Sequence, residues 1–412
     1  MERLIYHIDV NNAFLSWEAL QRLQDDPTSI DIRTIPSAIC GDPQKRHGII
    51  LAKSPLAKQY RISTAETIQS ALKKCPQLQL FPSRYHVYQQ YSNNFHKLLT
   101  QYTDCIEPFS IDEAFLDMTS SYHLFGDKIS TAQLIQTTIY NTFGFTVNIG
   151  ISTNKVLAKM ASDFEKPFKI HTLFPDEIEE KLWPLPIERL LFAGKSTCQK
   201  LKLLGIHTIG DLANTEPSYL IPHLGKHGMQ LYQYANGIDN TPVCPERPDA
   251  KGYSNSITID HDVTEQAEAK QILLSLCETI GFRLRKDEKS ATCLSVQIKD
   301  CFFKTKSKQC TLPEATNHSQ QLYELACSLF DALWDHHTPI RLLSVHATKL
   351  SDTSYKQLSL FDTAHAHNNS NLDHALDEIR NKFGSDSIMR ASFLNTNYDP
   401  IVKRHANKDK KK

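Results

Sequence analysis

The sequence predicts an α+β fold divided into several domains, and three observations support this. Its 412 residues correspond to two to four domains at roughly 150 residues each. Hydrophobic residues make up 40% of the chain, which is enough to bury a core in each domain. Strand-like runs alternate with stretches of helical periodicity up to about residue 170, an order typical of an α+β sheet domain.

Charge and cysteine content narrow the class of protein. The 46 Lys and Arg residues equal the 46 Asp and Glu residues in number, which excludes both a histone-like protein and an acidic disordered chain. No segment approaches the ~18 apolar residues of a membrane span, and the apolar stretch before Asp9 is too short for a signal peptide. We therefore expect a cytoplasmic protein with no membrane partner. Its ten cysteines form no C-x-x-C pair and are expected to be reduced packing residues.

In the first half, strands precede helices. LIYHIDV is predicted to form a strand that ends at an acidic residue, and NNAFLSWEALQRL the helix after it. Residues 31–82 hold short strands and a helical stretch, as in an insertion. A long amphipathic helix is predicted over residues 85–102, followed by strands around a tight turn in FSIDEAFLDMT. FTVNIGIS is a further strand, and NKVLAKMASDF has apolar residues on one helical face.

The second half begins with short helices. KSTCQKLKLLGIHTIGDLAN predicts one helix that ends at Gly205 and another that begins near Thr208. Residues 241–252 are rich in Pro and charge, the composition of a linker. A second α/β segment follows to about residue 350. Beyond it LDHALDEIRNKF is helix-like, and the final NKDKKK is expected to be disordered.

Three acidic residues, Asp9, Asp112 and Glu113, lie inside or at the end of apolar strand-like runs. A carboxylate in such a place is costly unless a positive group satisfies it. Mg²⁺ prefers carboxylate oxygens, and two ions about 3.5–4 Å apart stabilise the attacking and leaving oxygens of phosphoryl transfer. In a regular strand Asp112 and Glu113 would face opposite ways, so both reach one site only if the chain turns there. Taken singly, each of the three is better explained as an exposed edge or cap carboxylate.

The segments IDVNNAF, SIDEAFLD and GISTNKVLAKMASDFEKP, in this order and spacing, resemble the Y-family (DinB/UmuC-type) translesion DNA polymerases, in a Gram-positive UV-damage-repair-like branch. The resemblance implies a right-hand polymerase with a palm sheet, small fingers, a helical thumb and an α/β little-finger domain. It implies error-prone, template-directed addition of dNTPs to a primer 3′-OH, in DNA repair and damage tolerance. Asp9, Asp112 and Glu113 would bind two Mg²⁺ ions, assisted by the backbone carbonyl of Val10.

The same resemblance divides the chain into domains. It implies a palm at 1–30 and 83–170, fingers at 31–82, a thumb at 171–240, a linker at 241–252, a little finger at 253–350 and a tail at 351–412.

Other residues are implied to bind the nucleotide. Phe14 matches the aromatic steric gate that excludes a ribose 2′-OH, although an ordinary core Phe on the helix is the alternative. Lys166 matches a triphosphate-binding lysine, whereas Lys155 and Lys159 are expected to lie on a solvated helix face. Many family members carry Tyr and Arg where this chain has Pro55 and Lys58. Lys58 is therefore expected to contact phosphate as a single ammonium, and Arg61 is a candidate for compensating charge.

Primer-template DNA is the implied macromolecular partner. The helical hairpin at Gly205 can bind a phosphate through backbone N–H groups, although Gly also ends helices for conformational reasons alone. Lys304, Lys306 and Lys308 share the period of a strand, so they would lie on one face and follow a duplex backbone. The alternative is that they are edge-strand lysines that discourage aggregation.

Gln357, Leu358, Leu360 and Phe361, in QLSLF, resemble the short motif by which bacterial polymerases bind the sliding clamp. Such a peptide buries a few apolar side chains and acts as a tether, whereas the alternative is a strand or loop of the domain. We expect a monomer.

Two other functions stay open at the level of sequence. A metal-dependent nuclease would use the same three carboxylates with water as nucleophile. A DNA-binding accessory protein with a decayed site is the second, and the three intact carboxylates argue against it.

Overall fold

The computed structural model describes residues 2–41, 48–246, 248–352, 365–384 and 387–393, and of residues 365–371 it describes the backbone. The chain divides into two compact units, the first formed by residues 1–41 and 49–247, the second by 42–48 and 248–412. Across the described ranges, no helix has both the length and the apolar character needed to cross a membrane. The ten cysteines all fall within these ranges, and none of them forms a disulfide bond; Cys244 is exposed, so it is not the packing residue that was expected.

The first unit alternates short strands and helices. In chain order it contains β1 (Ile5–Val10), α1 (Ala13–Asp25), β2 (Ser37–Cys40), β3 (Ile50–Lys53), α2 (Pro55–Gln59), α3 (Ile68–Lys74), β4 (Gln79–Pro82), α4 (Tyr85–Leu99), β5 (Ile106–Pro108), β6 (Glu113–Asp117), α5 (Lys128–Phe143), β7 (Val147–Ser152), α6 (Lys155–Ser162), β8 (Ile170–Thr172), α7 (Lys195–Leu203), α8 (Ile209–Ala213), α9 (Pro217–Leu224) and α10 (Lys226–Ala235).

A five-stranded sheet with the order β5-β6-β1-β7-β8 is the centre of this unit. β1 pairs antiparallel with both β6 and β7, and β8 runs parallel to β7. All six residues of β1 are buried, which explains why its sequence is almost uniformly apolar up to Asp9. Residues of β1 pack on one face against a core that contains Trp17 of α1 and Phe95 of α4. Helix α6 packs against the other face.

Two smaller parts complete the first unit. Strands β3-β2-β4 form a separate sheet, which is accompanied by the short helices α2 and α3. The side chains of Ser54 and Thr67 cap the N-termini of these helices by accepting hydrogen bonds from backbone N–H groups. The helices α7–α10 share an apolar core with the buried face of α6.

The second unit is an antiparallel sheet covered by helices. It contains β9 (Gly252–Val263), α11 (Gln266–Lys286), β10 (Lys289–Asp300), β11 (Thr305–Thr316), α12 (Ser319–Asp331), β12 (Ile340–Asp352) and α13 (His365–Phe383). The strand order is β11-β10-β12-β9, so β11 and β9 are the edges. Val296, Ile298 and Leu343 pack with residues of α11 and α12 in the core of this unit.

Helix α13 confirms the helix expected from LDHALDEIRNKF, although it begins at His365, before that segment. It packs against α11 rather than extending away from the domain. Arg285 of α11 binds Asp377 at 2.6 Å and Asp373 at 3.2 Å, and its side chain is 4% exposed. Glu278 of α11 accepts from Arg380 at 3.4 Å and from Arg390. Buried ion pairs therefore fix α13 and the segment after it to α11.

Candidate active site

The pleat of β1 decides which of its side chains meet α6. Successive residues of a strand point to opposite faces, so Ile5, His7 and Asp9 share one face while Tyr6 and Ile8 lie in the core on the other. The His7 ring nitrogen Nδ1 lies 2.8 Å from the Ser162 hydroxyl at the end of α6. Asp9 therefore faces the same helix.

Glu113 is the cross-strand partner of Asp9. The two residues are directly opposite in the β1–β6 register, so their side chains project from the same face. Asp112 precedes β6 in a bend, and its carbonyl accepts from the N–H of Val10 at 3.0 Å. The backbone thus bends at Asp112, where a turn was expected if Asp112 and Glu113 were to face one site.

The three predicted carboxylates converge only in part. Asp9 and Glu113 share a cationic neighbour, whereas the Asp112 carboxylate accepts from the Ser110 hydroxyl at 2.6 Å. Within the part of the chain that the structure describes, no three His, Cys, Asp or Glu side chains are grouped closely enough to hold one metal ion. The hydrogen bond from Ser110 uses one oxygen of the Asp112 carboxylate and leaves the other available for a metal ion.

Lys159 corrects the expectation that this lysine lies on a solvated helix face. Its ammonium is 2.6 Å from Oε1 of Glu113 and 3.3 Å from Oδ2 of Asp9, and the residue is 7% exposed. Lys155 is not simply solvated either, because it binds both oxygens of Glu107 at 2.8 Å. α6 packs flat on the sheet, which turns these lysines towards the carboxylates.

Lys166 also reaches Asp9. Its ammonium lies 2.8 Å from Oδ2 of Asp9 and 2.7 Å from Asp163, and its side chain is 37% exposed. The residue lies beyond the end of α6, which stops at Ser162, so Lys166 is held by the segment after the helix rather than by the helix itself.

The carboxylates and ammonium groups shift one another's pKa. Burial by itself raises the pKa of Asp9, but the Lys166 and Lys159 ammonium groups outweigh it and hold that pKa below its usual value. Burial, with the negative charge of Asp9 adding to it, raises the pKa of Glu113 to about 7 against the opposing effect of Lys159. Burial lowers the pKa of Lys159, and the two carboxylates more than reverse this. The Lys159 ammonium is therefore hard to deprotonate, and the two carboxyl groups differ in pKa, with that of Asp9 lowered and that of Glu113 raised.

Two residues of β7 allow α6 to lie this close. Gly150 is directly opposite His7, and a Cβ atom at that position would be 2.0 Å from the carbonyl oxygen of Ala158. Asn148 is opposite Asp9, and its amide donates to the carbonyls of Ser162 at 3.1 Å and Glu165 at 2.6 Å. Together they fix the end of α6 and the segment that carries Lys166. Neither residue was a candidate from sequence.

Phe14 is half-buried in the first turn of α1. Its ring stacks on that of Tyr88 with centroids 4.8 Å apart and lies edge-on to Tyr85 at 5.9 Å. Asn12, which precedes α1 in the left-handed conformation, donates to the carbonyl of Lys53 at 2.8 Å. This contact joins the start of α1 to β3.

Lys58 is exposed near the end of α2. Lys53 is a cation that the sequence analysis did not single out. Burial and the Lys58 ammonium lower the pKa of Lys53. The backbone of Arg61 is left-handed, with φ of 57°, and its carbonyl accepts from Lys74.

The helical hairpin at Gly205 is confirmed between α7 and α8. Gly205 has φ of 80°, which favours glycine, and its N–H donates to Lys202 at 3.0 Å. The N–H of Ile206 donates to Leu201, and those of His207 and Thr208 donate to the Asp211 carboxylate. These four backbone donors are therefore used within the hairpin.

Only two of the three predicted strand lysines lie in β11. Lys306 and Lys308 are opposite Ile298 and Val296, so they project from the sheet face that the helices cover. Lys304 lies before the strand, because Asp300 closes a turn by accepting from its N–H at 2.9 Å. All three are exposed, and Lys306 lies 3.7 Å from Asp335.

Gln357, Leu358, Leu360 and Phe361 lie outside the residues that the structure describes.

Comparison with known proteins places this geometry in a family. The impB/mucB/samB family model matches residues 8–163, and the model of the C-terminal domain of the same family matches residues 250–360. A protein named DNA polymerase IV from Clostridium acetobutylicum is 42% identical over 96% of this chain and 99% of its own length. DNA polymerase IV 1 of Bacillus subtilis is 33% identical over 99% of this chain and 97% of its own.

A solved structure shares the fold. It is a Y-family DNA polymerase chimera of Dbh and Dpo4, with a TM-score of 0.74 and 22% identity, and the match covers 84% of this chain and 98% of that one.

Proposed function

Because this chain belongs to the Y-family of DNA polymerases, in its DinB-type branch, we propose that Asp9, Asp112 and Glu113 hold its catalytic metal ions. The protein is a translesion DNA polymerase that acts on DNA and depends on metal. The observation that carries the assignment of the site is the direct pairing of Asp9 with Glu113 across β1 and β6, one residue after Asp112.

The residues at this site fit Mg²⁺. Carboxylate oxygens are the donors that Mg²⁺ prefers, and the Lys159 ammonium already shows that a cation can contact Asp9 and Glu113 together. We propose two Mg²⁺ ions. When bound, they would stabilise the developing charge on the attacking and leaving oxygens. Asp9 and Glu113 hold the site from the rigid sheet, and Asp112 and the Val10 backbone complete it.

Three lysines support a dNTP site. Lys166 lies beside Asp9 and is partly exposed, so its ammonium can reach a triphosphate from the same side as the metal ligands. Lys58 and the neighbouring Lys53 supply charge from α2 and β3. We assign Phe14 as the steric gate, because a partly exposed ring held by Tyr88 is available for contact with a sugar.

The remaining assignments follow the family. We propose that the five-stranded sheet is the palm, residues 31–82 the fingers, α7–α10 the thumb, and β9–β12 with α11 and α12 the little finger. We propose that the hairpin at Gly205 and the exposed lysines Lys304, Lys306 and Lys308 contact DNA. Since the N–H groups of the hairpin are used internally, its contact would come from side chains.

We further propose that Gln357, Leu358, Leu360 and Phe361 bind the sliding clamp and that the protein is a cytoplasmic monomer. Replacing Leu360 and Phe361 with Ala should abolish stimulation of primer extension by a loaded clamp without changing extension in its absence. Equal stimulation of both proteins would reject the tether.

A primer-extension assay tests the assignment of the metal site. Asp112→Ala should reduce extension of a primed template with Mg²⁺ by at least about a thousandfold, since transition-state stabilisation of several kcal/mol depends on the metal ions. Binding of the same DNA, measured by fluorescence anisotropy, should stay within about threefold. Asp176→Ala, an exposed carboxylate elsewhere in the first unit, is the control and should extend normally. Substantial extension by the Asp112 variant would refute the assignment.

A further inference from the structure

Lys159 is in contact with both carboxylates that the strand pairing brings together. Its Nζ atom lies 2.6 Å from Glu113 and 3.3 Å from Asp9, and it also lies 3.4 Å from Asp163. The lysine side chain is 9% exposed. An ammonium held this way neutralises oxygens that would otherwise repel one another across the strands.

The charges of the cluster are nearly balanced. Asp9, Glu113 and Asp163 provide three carboxylates, and Lys159 and Lys166 provide two ammonium groups. With all five ionised, one negative charge is in excess. Without Lys159, the excess would be two.

We propose that Lys159 is a built-in counter-ion that competes with a divalent cation for the oxygens of Asp9 and Glu113. The inference rests on the proposed function and deepens it. Mg²⁺ binds carboxylate oxygens at about 2.0–2.1 Å, so an ion on these oxygens lies within a few Å of the Lys159 ammonium. The two positive charges repel, and metal binding must displace or crowd the lysine.

Lys159 and Lys166 differ in how easily they can withdraw. Lys166 is 37% exposed and can turn into solvent while keeping its contact with Asp163. Lys159 projects from the rigid helix α6 and is enclosed between that helix and the sheet. Lys159 is therefore the positioning residue: it holds the two carboxylates together and limits how tightly they bind a metal ion.

Binding of Mn²⁺ to the full chain, measured by electron paramagnetic resonance of the free ion, tests this inference. Lys159→Met and Lys159→Gln should each lower the dissociation constant by about tenfold, the order expected when a unit charge near the ion is removed. The matched control is Lys155→Met, on the same helix but paired with Glu107, and it should bind as the wild type does. A lysine with a merely structural role would weaken metal binding when lost, so unchanged or weaker binding would overturn the inference.

Two further measurements separate the possible failures. Asp9→Asn and Glu113→Gln should each weaken Mn²⁺ binding, and if neither does, the proposed metal site itself is wrong. If both do while the Lys159 variants bind like the wild type, only the present inference fails. Should neither Lys159 variant fold, acetylation of Lys159 in the wild type, followed by mass spectrometry, decides the matter: labelling should rise when Mn²⁺ is added, and constant labelling would overturn the inference.

Discussion

Phe14 owes its position to two neighbours. Tyr88 supports one face of its ring, and Tyr85 closes one edge, so the ring has little freedom to move away from an approaching molecule. Part of the ring stays exposed because the residue lies in the first turn of α1, at the margin of the core. A ring fixed in this way can exclude an added hydroxyl by volume alone.

Replacing the ring tests that role. Phe14→Ala should raise incorporation of ribonucleotides relative to deoxyribonucleotides by about tenfold or more. Without the ring, the pocket has room for the ribose 2′-hydroxyl. The ratio of kcat/KM for the two substrates is the measurement. Tyr140→Ala removes an exposed aromatic ring from α5 and should leave the ratio unchanged. An unaltered ratio in the Phe14 variant would assign the residue to the core instead.

At the scale of elements, the contact between β7 and α6 positions the site. Gly150→Ala should push α6 away from the sheet, because its Cβ would be 2.0 Å from one backbone atom of α6 and 2.4 Å from another. We expect a loss of about 1–3 kcal/mol in the free energy of unfolding, the usual cost of overpacking, together with a large loss of polymerase activity. Urea unfolding and primer extension measure the two effects.

Gly194 provides the comparison. It precedes α7, has φ of −70°, and a Cβ there would meet nothing within 4 Å. Gly194→Ala should therefore be stable and active. If Gly150→Ala were equally active, the close approach of helix and sheet would have no part in placing Lys159 and Lys166.

Helices, strands and turns were predicted from the sequence more accurately than contacts between side chains. The first strand and the helix after it, the turn before Glu113 and the hairpin at Gly205 follow from local patterns, and the structure contains them. The contacts of Lys159 with Asp9 and Glu113 were missed. Its position on the predicted helix is equally compatible with a solvated face, and only the packing of α6 on the sheet decides between the two. Lys304 was placed in a strand because period alone does not show that Asp300 closes a turn.

At the scale of the whole chain, equal numbers of positive and negative residues do not show which charges pair with one another. In the second unit Arg285 and Glu278 are buried on α11, and their partners come from a segment about a hundred residues later. Such distant pairing leaves no local pattern in the sequence. It ties the end of the described chain to the helix on the sheet.

Removing that segment should therefore destabilise the second unit. A chain shortened after Asp352 would lose the ion pairs that Arg285 and Glu278 make with residues 373–390, and with them about 1.5–3 kcal/mol in the free energy of unfolding, the usual contribution of a hydrogen bond to a charged group. Urea unfolding of full-length and shortened chains measures the loss. A shortened chain as stable as the full one would show that α13 contributes nothing to the unit.

The pairing of Asp9 with Glu113 also has a consequence for molecules that fold incorrectly. If β1 were displaced by a single position against β6, its buried and site-facing residues would exchange faces. Tyr6 and Ile8 would leave the core, and Asp9 would enter it. Such a molecule would be both inert and unstable, so the register that stabilises the sheet is also the one that assembles the site.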